Sequence, residues 1–193
     1  MPNAQGHDLI TIVSGVVMAS PAFAFFSTSG SAVPMLDTAI LIGAHLLSGM
    51  MFSPDLDLDS HIDDRWGVFY WIWRPYMRLI PHRHFWSHGL ILAPLLRLLY
   101  FYGMLQLLIF CFAWLFAQLG VVVPNYHTRL IDVILHVVSS YPQQVLIFLL
   151  GFITGSAAHT IADWFVTGGK RYLGRMGFRV RRNYRDHDFG IHH

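Results

Sequence analysis

The sequence predicts an all-α protein: a four-span helical membrane bundle with an interfacial aromatic helix and a short basic C-terminal tail. Three observations lead there. The 193 residues hold only 13 Lys/Arg and 11 acidic groups, about half the charged share of a soluble domain, and the mean hydropathy is +0.47. The charges are segregated: windows 9–36, 38–54, 98–128 and 133–162 contain no Asp, Glu, Lys or Arg. Each window also supplies the roughly 17–25 apolar residues that a helix needs to cross about 30 Å of hydrocarbon.

Taken in order, the first span covers about 9–26, interrupted by Ser14, Ser20 and Pro21. Its SPAFA stretch has the small-x-small look of a signal cleavage site at Ala22 to Ala24. The first eight residues hold no Lys or Arg, so the segment reads as a retained span. The second span, 38–54, stops at Pro54, which cannot continue a helix hydrogen-bond ladder. Nine charges then crowd between Asp55 and Arg83. Within them WGVFYWIWRPYMRLIP, Trp66–Pro81, combines aromatics with arginines and reads as a helix at headgroup level. The third span, 95–122, is Leu- and aromatic-rich, and the fourth covers 143–166. Residues 1–169 form the membrane domain, and 170–193 form a tail holding Lys170, Arg171, Arg175, Arg179, Arg181, Arg182 and Arg185. Basic residues stay cytoplasmic, which places the tail, the 55–83 segment and the N-terminus on one side.

This composition excludes a disordered or collagen-like chain and an ordinary soluble enzyme. One cysteine, Cys111, excludes an internal disulfide framework and a thiolate zinc module. Twelve histidines are in excess of any solvation need, and all eleven acids are Asp. Imidazole and carboxylate are the donors that zinc or manganese accept without thiolates.

Four His/Asp clusters fall where the spans begin or end. His7–Asp8 opens the first span, although Asp8 also suits a simple helix cap. Ser53–Ser60 follows the second span and carries Asp55, Asp57 and Asp59, whose alternation places the carboxylates on one face of an extended segment. His82-Arg83-His84-Phe-Trp-Ser-His88 precedes the third span; helical spacing pairs His84 with His88, while His82 follows Pro81 and is free to turn inward. Arg83 has the fork that grips a phosphate. His159 and Asp163 close the fourth span at i, i+4, one turn apart on one helical face. An up-down-up-down topology brings all four clusters to one membrane face. His45 lies inside the second span, where a hydrogen-bonded bundle residue and a ligand are equally consistent.

The motifs GH at 6–7, PDLD at 54–57, HR and SH within 82–88, and GSAAHTIAD at 155–163 resemble the YdjM-like membrane-bound, predicted metal-dependent hydrolases. With HDLITI, RWG and PY they look closer to a sister family of uncharacterised, predicted metal-binding membrane proteins common in cyanobacteria. More distantly, the pattern is similar to the helical zinc-dependent phospholipase C and P1 nuclease group. The resemblance implies His7, Asp55, Asp57, His82, His88, His159 and Asp163 as metal ligands, and prefers His82 to His84. The chain departs there from the YdjM-type pattern, with one extra residue between the two histidines and His84 in place of the usual glycine. Asp8 and Arg83 belong to the closer pattern and are the expected catalytic residues, with Arg83 on phosphate and an unliganded Asp or His of the cluster as base.

The expectation is therefore a membrane protein with a divalent metal, zinc first and manganese or magnesium next. It would hydrolyse a phosphoester in a phospholipid-like or lipid-linked substrate, in a bacterial cytoplasmic or thylakoid membrane. Membrane lipids are expected partners and a protein partner fits the alternative, a non-catalytic scaffold with a structural metal. The short, aromatic-poor basic tail does not suit nucleic acid. A transporter would need ligands deeper in the spans, where only His45, His136 and Asp132 stand.

Overall fold

The computed structural model describes residues 4–52, 65–79 and 89–175, and every regular element among them is helical. Helix α1 is Ala4–Thr28 and α2 is Pro34–Met51. A 3₁₀ segment, Gly67–Trp73, runs into α3, Arg74–Leu79. Helix α4 is Leu92–Gln118, α5 is Tyr126–Ser140 and α6 is Pro142–Arg175. Four of these, α1, α2, α4 and α6, are long and apolar enough to cross a membrane. Each overlaps one of the charge-free windows, because a span that carries few charges is what the hydrocarbon requires.

Burial is inverted relative to a soluble bundle. On α1 the inward face is His7, Thr11 and Gly15, while Val16 and Val17 are 70% and 67% exposed. Helix α2 turns Asp37, Ala44, His45, Ser48 and Gly49 inward. Helix α6 does the same with Gly151, Phe152, Gly155, Ser156 and His159. Small and polar groups inside with Val and Leu outside is the arrangement of helices surrounded by lipid, where packing and internal hydrogen bonds drive association.

The α1, α2 and α6 trio is the packed centre. Helices α2 and α6 meet at backbone distance: a Cβ added to Gly151 would lie 2.2 Å from the Leu41 carbonyl oxygen, and one on Gly155 would lie 2.1 Å from that of His45. The pair is a G-x-x-x-G seat. Gly49 faces Thr11 on α1 equally closely. Where the helices touch, His45 bridges all three. Its Nε2 lies 3.1 Å from the Thr11 carbonyl and 2.9 Å from Ser14 Oγ, and its Nδ1 lies 3.1 Å from Thr154 Oγ1. A carbonyl only accepts, so Nε2 carries the proton toward Thr11, and Nδ1 lies against a Thr154 hydroxyl that also reaches the Gly151 carbonyl at 2.9 Å. His45 is thus a hydrogen-bonded bundle residue.

At one end of the trio, the fully buried Asp37 accepts from Ser31 Oγ at 2.6 Å, Gln143 Nε2 at 2.8 Å and Gln144 Nε2 at 3.2 Å. These bonds tie the α1–α2 turn to the first turn of α6, and the carboxylate also suits the positive N-terminal ends of α2 and α6. His159 lies about 24 Å further along α6 at about 1.5 Å per residue, so the two polar ends are nearly a bilayer apart.

The aromatic segment is present, and one of its sides is inside the protein. Ile72, Trp73 and Tyr76 are buried, whereas Phe69, Trp71 and Leu79 remain exposed beside Arg74 and Arg78. Phe52, at the end of α2, is the hub: Trp66, Trp73, Phe101 and Phe152 meet it edge-on with centroids 5.3–5.6 Å apart. Edge-to-face geometry suits the ring quadrupoles. The Tyr100 hydroxyl donates to the Ile72 carbonyl and fastens α4 to this plug.

Candidate metal centre

The candidate centre lies at the end opposite Asp37, where α1 begins and α6 passes. His7 and His159 are 152 positions apart in sequence, and their rings stack with centroids 3.7 Å apart and planes 13° from parallel. Both are buried, at 4% and 1% exposure. The inward period His7–Thr11–Gly15 on α1 and Gly151–Gly155–His159 on α6 brings them together: the small residues let the helices close, and the imidazoles extend the same stripes by one turn. The Thr11 hydroxyl donates to the His7 carbonyl at 3.0 Å.

Around this pair three carbonyls at the C-terminal end of α2 are capped by side chains. The last carbonyls of a helix lack intrahelical donors. Here Arg65 Nη1 donates to Met50 O at 2.7 Å, Trp66 Nε1 to Met51 O at 2.9 Å, and Arg97 Nη1 to Phe52 O at 2.8 Å. Two guanidiniums at a helix C-terminus also offset its partial negative charge. Arg65 additionally forms an ion pair with Asp8. Arg97 is 1% exposed and reaches Ser156 Oγ at 3.2 Å, one turn before His159 on α6. The clamp therefore fixes where α2 ends relative to both histidines, immediately before the residues that carry Asp55 and Asp57 in sequence.

The predicted site residues divide as follows. His7 and His159 are brought together. Asp8 is on α1 beside them, and its carboxylate is held by Arg65. Asp163 follows His159 by one turn of α6, and its side chain lies outside the described residues. Asp55, Asp57, Asp59, His82, Arg83, His84 and His88 also lie outside them. Among the described residues no three His, Cys, Asp or Glu side chains gather as a metal-holding group. Two buried, adjacent imidazoles nevertheless fit a borderline divalent cation as two of its donors. The fully buried Ser48 hydroxyl on α2 has no hydrogen-bond partner among the described residues.

Sequence reasoning passed over Arg65 as a cap and Arg97 altogether. Arg97 marked only the edge of a charge-free window. The available signal was its position: an arginine six residues into an apolar helix is expensive in hydrocarbon and therefore has a task.

No curated protein and no solved structure matches the chain. A family model described as an uncharacterized metal-binding protein (DUF2227) matches the chain. It agrees with the metal-binding sister resemblance and lends nothing to the hydrolase assignment of the YdjM-like group. Since that model matches residues 2–173, nearly the whole length, the chain belongs to this metal-binding family.

Proposed function

We propose that this protein holds a divalent cation, zinc first, at the His7–His159 end of its bundle and hydrolyses a phosphoester in a lipid or lipid-linked substrate. The observation that carries the reading is the buried imidazole pair, made by the first and last of the four membrane-length helices. Asp55, Asp57, His82, His88 and Asp163 are the proposed further ligands. A divalent cation at such a site lowers the pKa of water and offsets charge on phosphoryl oxygens. The chain's own residues do the rest. Arg65 holds the Asp8 carboxylate beside the histidines, Arg83 grips the phosphate, and Arg97 keeps α2 in place. The arginines of 65–83 and of the tail support a cytoplasmic placement of this face, and the exposed Phe69 and Trp71 beside Arg74 and Arg78 suit headgroups.

The low exposure of both histidines favours a second reading, in which the metal staples α1 to α6 without turnover and a protein partner docks on the bundle. One experiment separates the two. Metal content of the purified protein and of its His7→Ala and His159→Ala variants is measured beside hydrolysis of phospholipid, phosphodiester and phosphomonoester substrates. The proposal expects bound metal and turnover in the wild type, with both lost in the variants. Bound metal without turnover on any substrate leaves the staple reading, and metal content unchanged in both variants overturns the site.

A further inference from the structure

Helix α5 is a feature that the metal site does not use. It links the end of α4 to the start of α6, both long enough to span a membrane, at the Asp37 end of the molecule. Among the described residues its side-chain ties to α4 are at its start, where Gln106 donates to the His127 carbonyl at 3.4 Å and Phe110 meets the Tyr126 ring at 6.3 Å, and it also meets α6. From Ile131 to Ser140 every residue is exposed, including Val133 at 59% and Leu135 at 60%. A helix of 15 residues is marginal in water on its own propensity, and three of these positions are β-branched valines.

From Thr128 onward the faces are divided, with His127 of the first turn lying on the apolar side. At about 100° per residue, Val133, Val137, Leu130, Ile134, Val138, Ile131 and Leu135 fill an arc of about 200°. Thr128, Arg129, Asp132, His136, Ser139 and Ser140 fill the opposite arc. A partner helix needs only a narrow stripe, whereas a cylinder half sunk in a bilayer needs an arc this broad. Covalent continuity with two spanning helices already holds α5 at the membrane surface. Its single Arg and single Asp cancel, so charge attraction is not what retains it.

We propose that α5 is an in-plane membrane helix, its 130–138 apolar arc embedded in the leaflet opposite the metal centre and its Asp132–His136 arc in water. It fixes the depth of α4 and α6 in zwitterionic as well as anionic lipid. The test uses the full chain with Cys111→Ser as background and one cysteine at each position from 131 to 140. Each is nitroxide-labelled and reconstituted in phosphatidylcholine vesicles. Power-saturation spectroscopy then compares collision with oxygen, which partitions into lipid, and with a water-soluble nickel complex. Positions 131, 134, 135 and 138 are expected to favour oxygen, and 132, 136 and 139 to favour nickel. Uniform nickel access along all ten positions overturns the proposal. So does spin–spin broadening at 134 and 138 that disappears on dilution with unlabelled protein, since the face then belongs to a second copy.

Discussion

Arg97 and His45 are the residues whose roles depend most on neighbours distant in sequence. Arg97 joins the end of α2 to α6 by two charge-assisted bonds, so Arg97→Met leaves the Phe52 carbonyl and the Ser156 hydroxyl without that donor. Hydrogen bonds to charged groups contribute about 1.5–3 kcal/mol each in proteins. The expected loss is about 2–3 kcal/mol in denaturant unfolding of the detergent-solubilised protein, and Arg97→Lys restores part of it. Bound metal should fall in the same order, because the clamp sets the α2 end beside His159. For His45 the prediction is a separation of effects. His45→Phe costs about 1–2 kcal/mol through lost interhelical bonds and leaves metal content unchanged, since both ring nitrogens are already used. A loss of metal in that variant would return His45 to the ligand set. The sequence left the bundle role of His45 open beside a ligand role, and the partners of both residues were not readable, because Thr154 and Ser156 become neighbours only when α6 folds back on α2.

Among the elements, the α2–α6 pair is the most demanding of sequence. Gly151 and Gly155 seat against main-chain oxygens, which cannot yield as a flexible side chain does. Gly155→Leu should cost about 3 kcal/mol or more by forcing the helices apart. Gly103→Ala on α4, which has nothing within 4 Å of the added carbon, should be neutral or gain up to about 1 kcal/mol of helix propensity. Comparable losses at both positions, read by thermal unfolding, would mean that close approach is not what Gly155 provides. The spans themselves were legible because exclusion of charge is a one-dimensional signal. Helix α5 was not: Arg129 and Asp132 break the charge-free run, and its period emerges only when residues 128–140 are set on a helical wheel. The aromatic segment was legible as a helix of mixed aromatics and arginines. That Trp73 and Tyr76 point into the protein depends on Phe52 and Phe101, which no local pattern reveals.

At the scale of the whole molecule, polar chemistry is placed at the two ends of an inside-out bundle. The Asp37 cluster ties the α1–α2 turn to α6 at one end, and the imidazole pair lies at the other beside the side-chain cap of α2. Two of the four sequence clusters, those of His7 and His159, meet at the second end, where alternating helix direction brings a span start beside a span end; the other two lie outside the described residues. His7 and His159 show that logic at work across 152 positions. X-ray absorption at the edge of the bound metal measures its first coordination shell in the wild type, His7→Ala and His159→Ala. The account predicts that each substitution removes one imidazole from the shell. An unchanged imidazole count in both variants would contradict it, for then the two rings gathered by the fold are not what holds the ion.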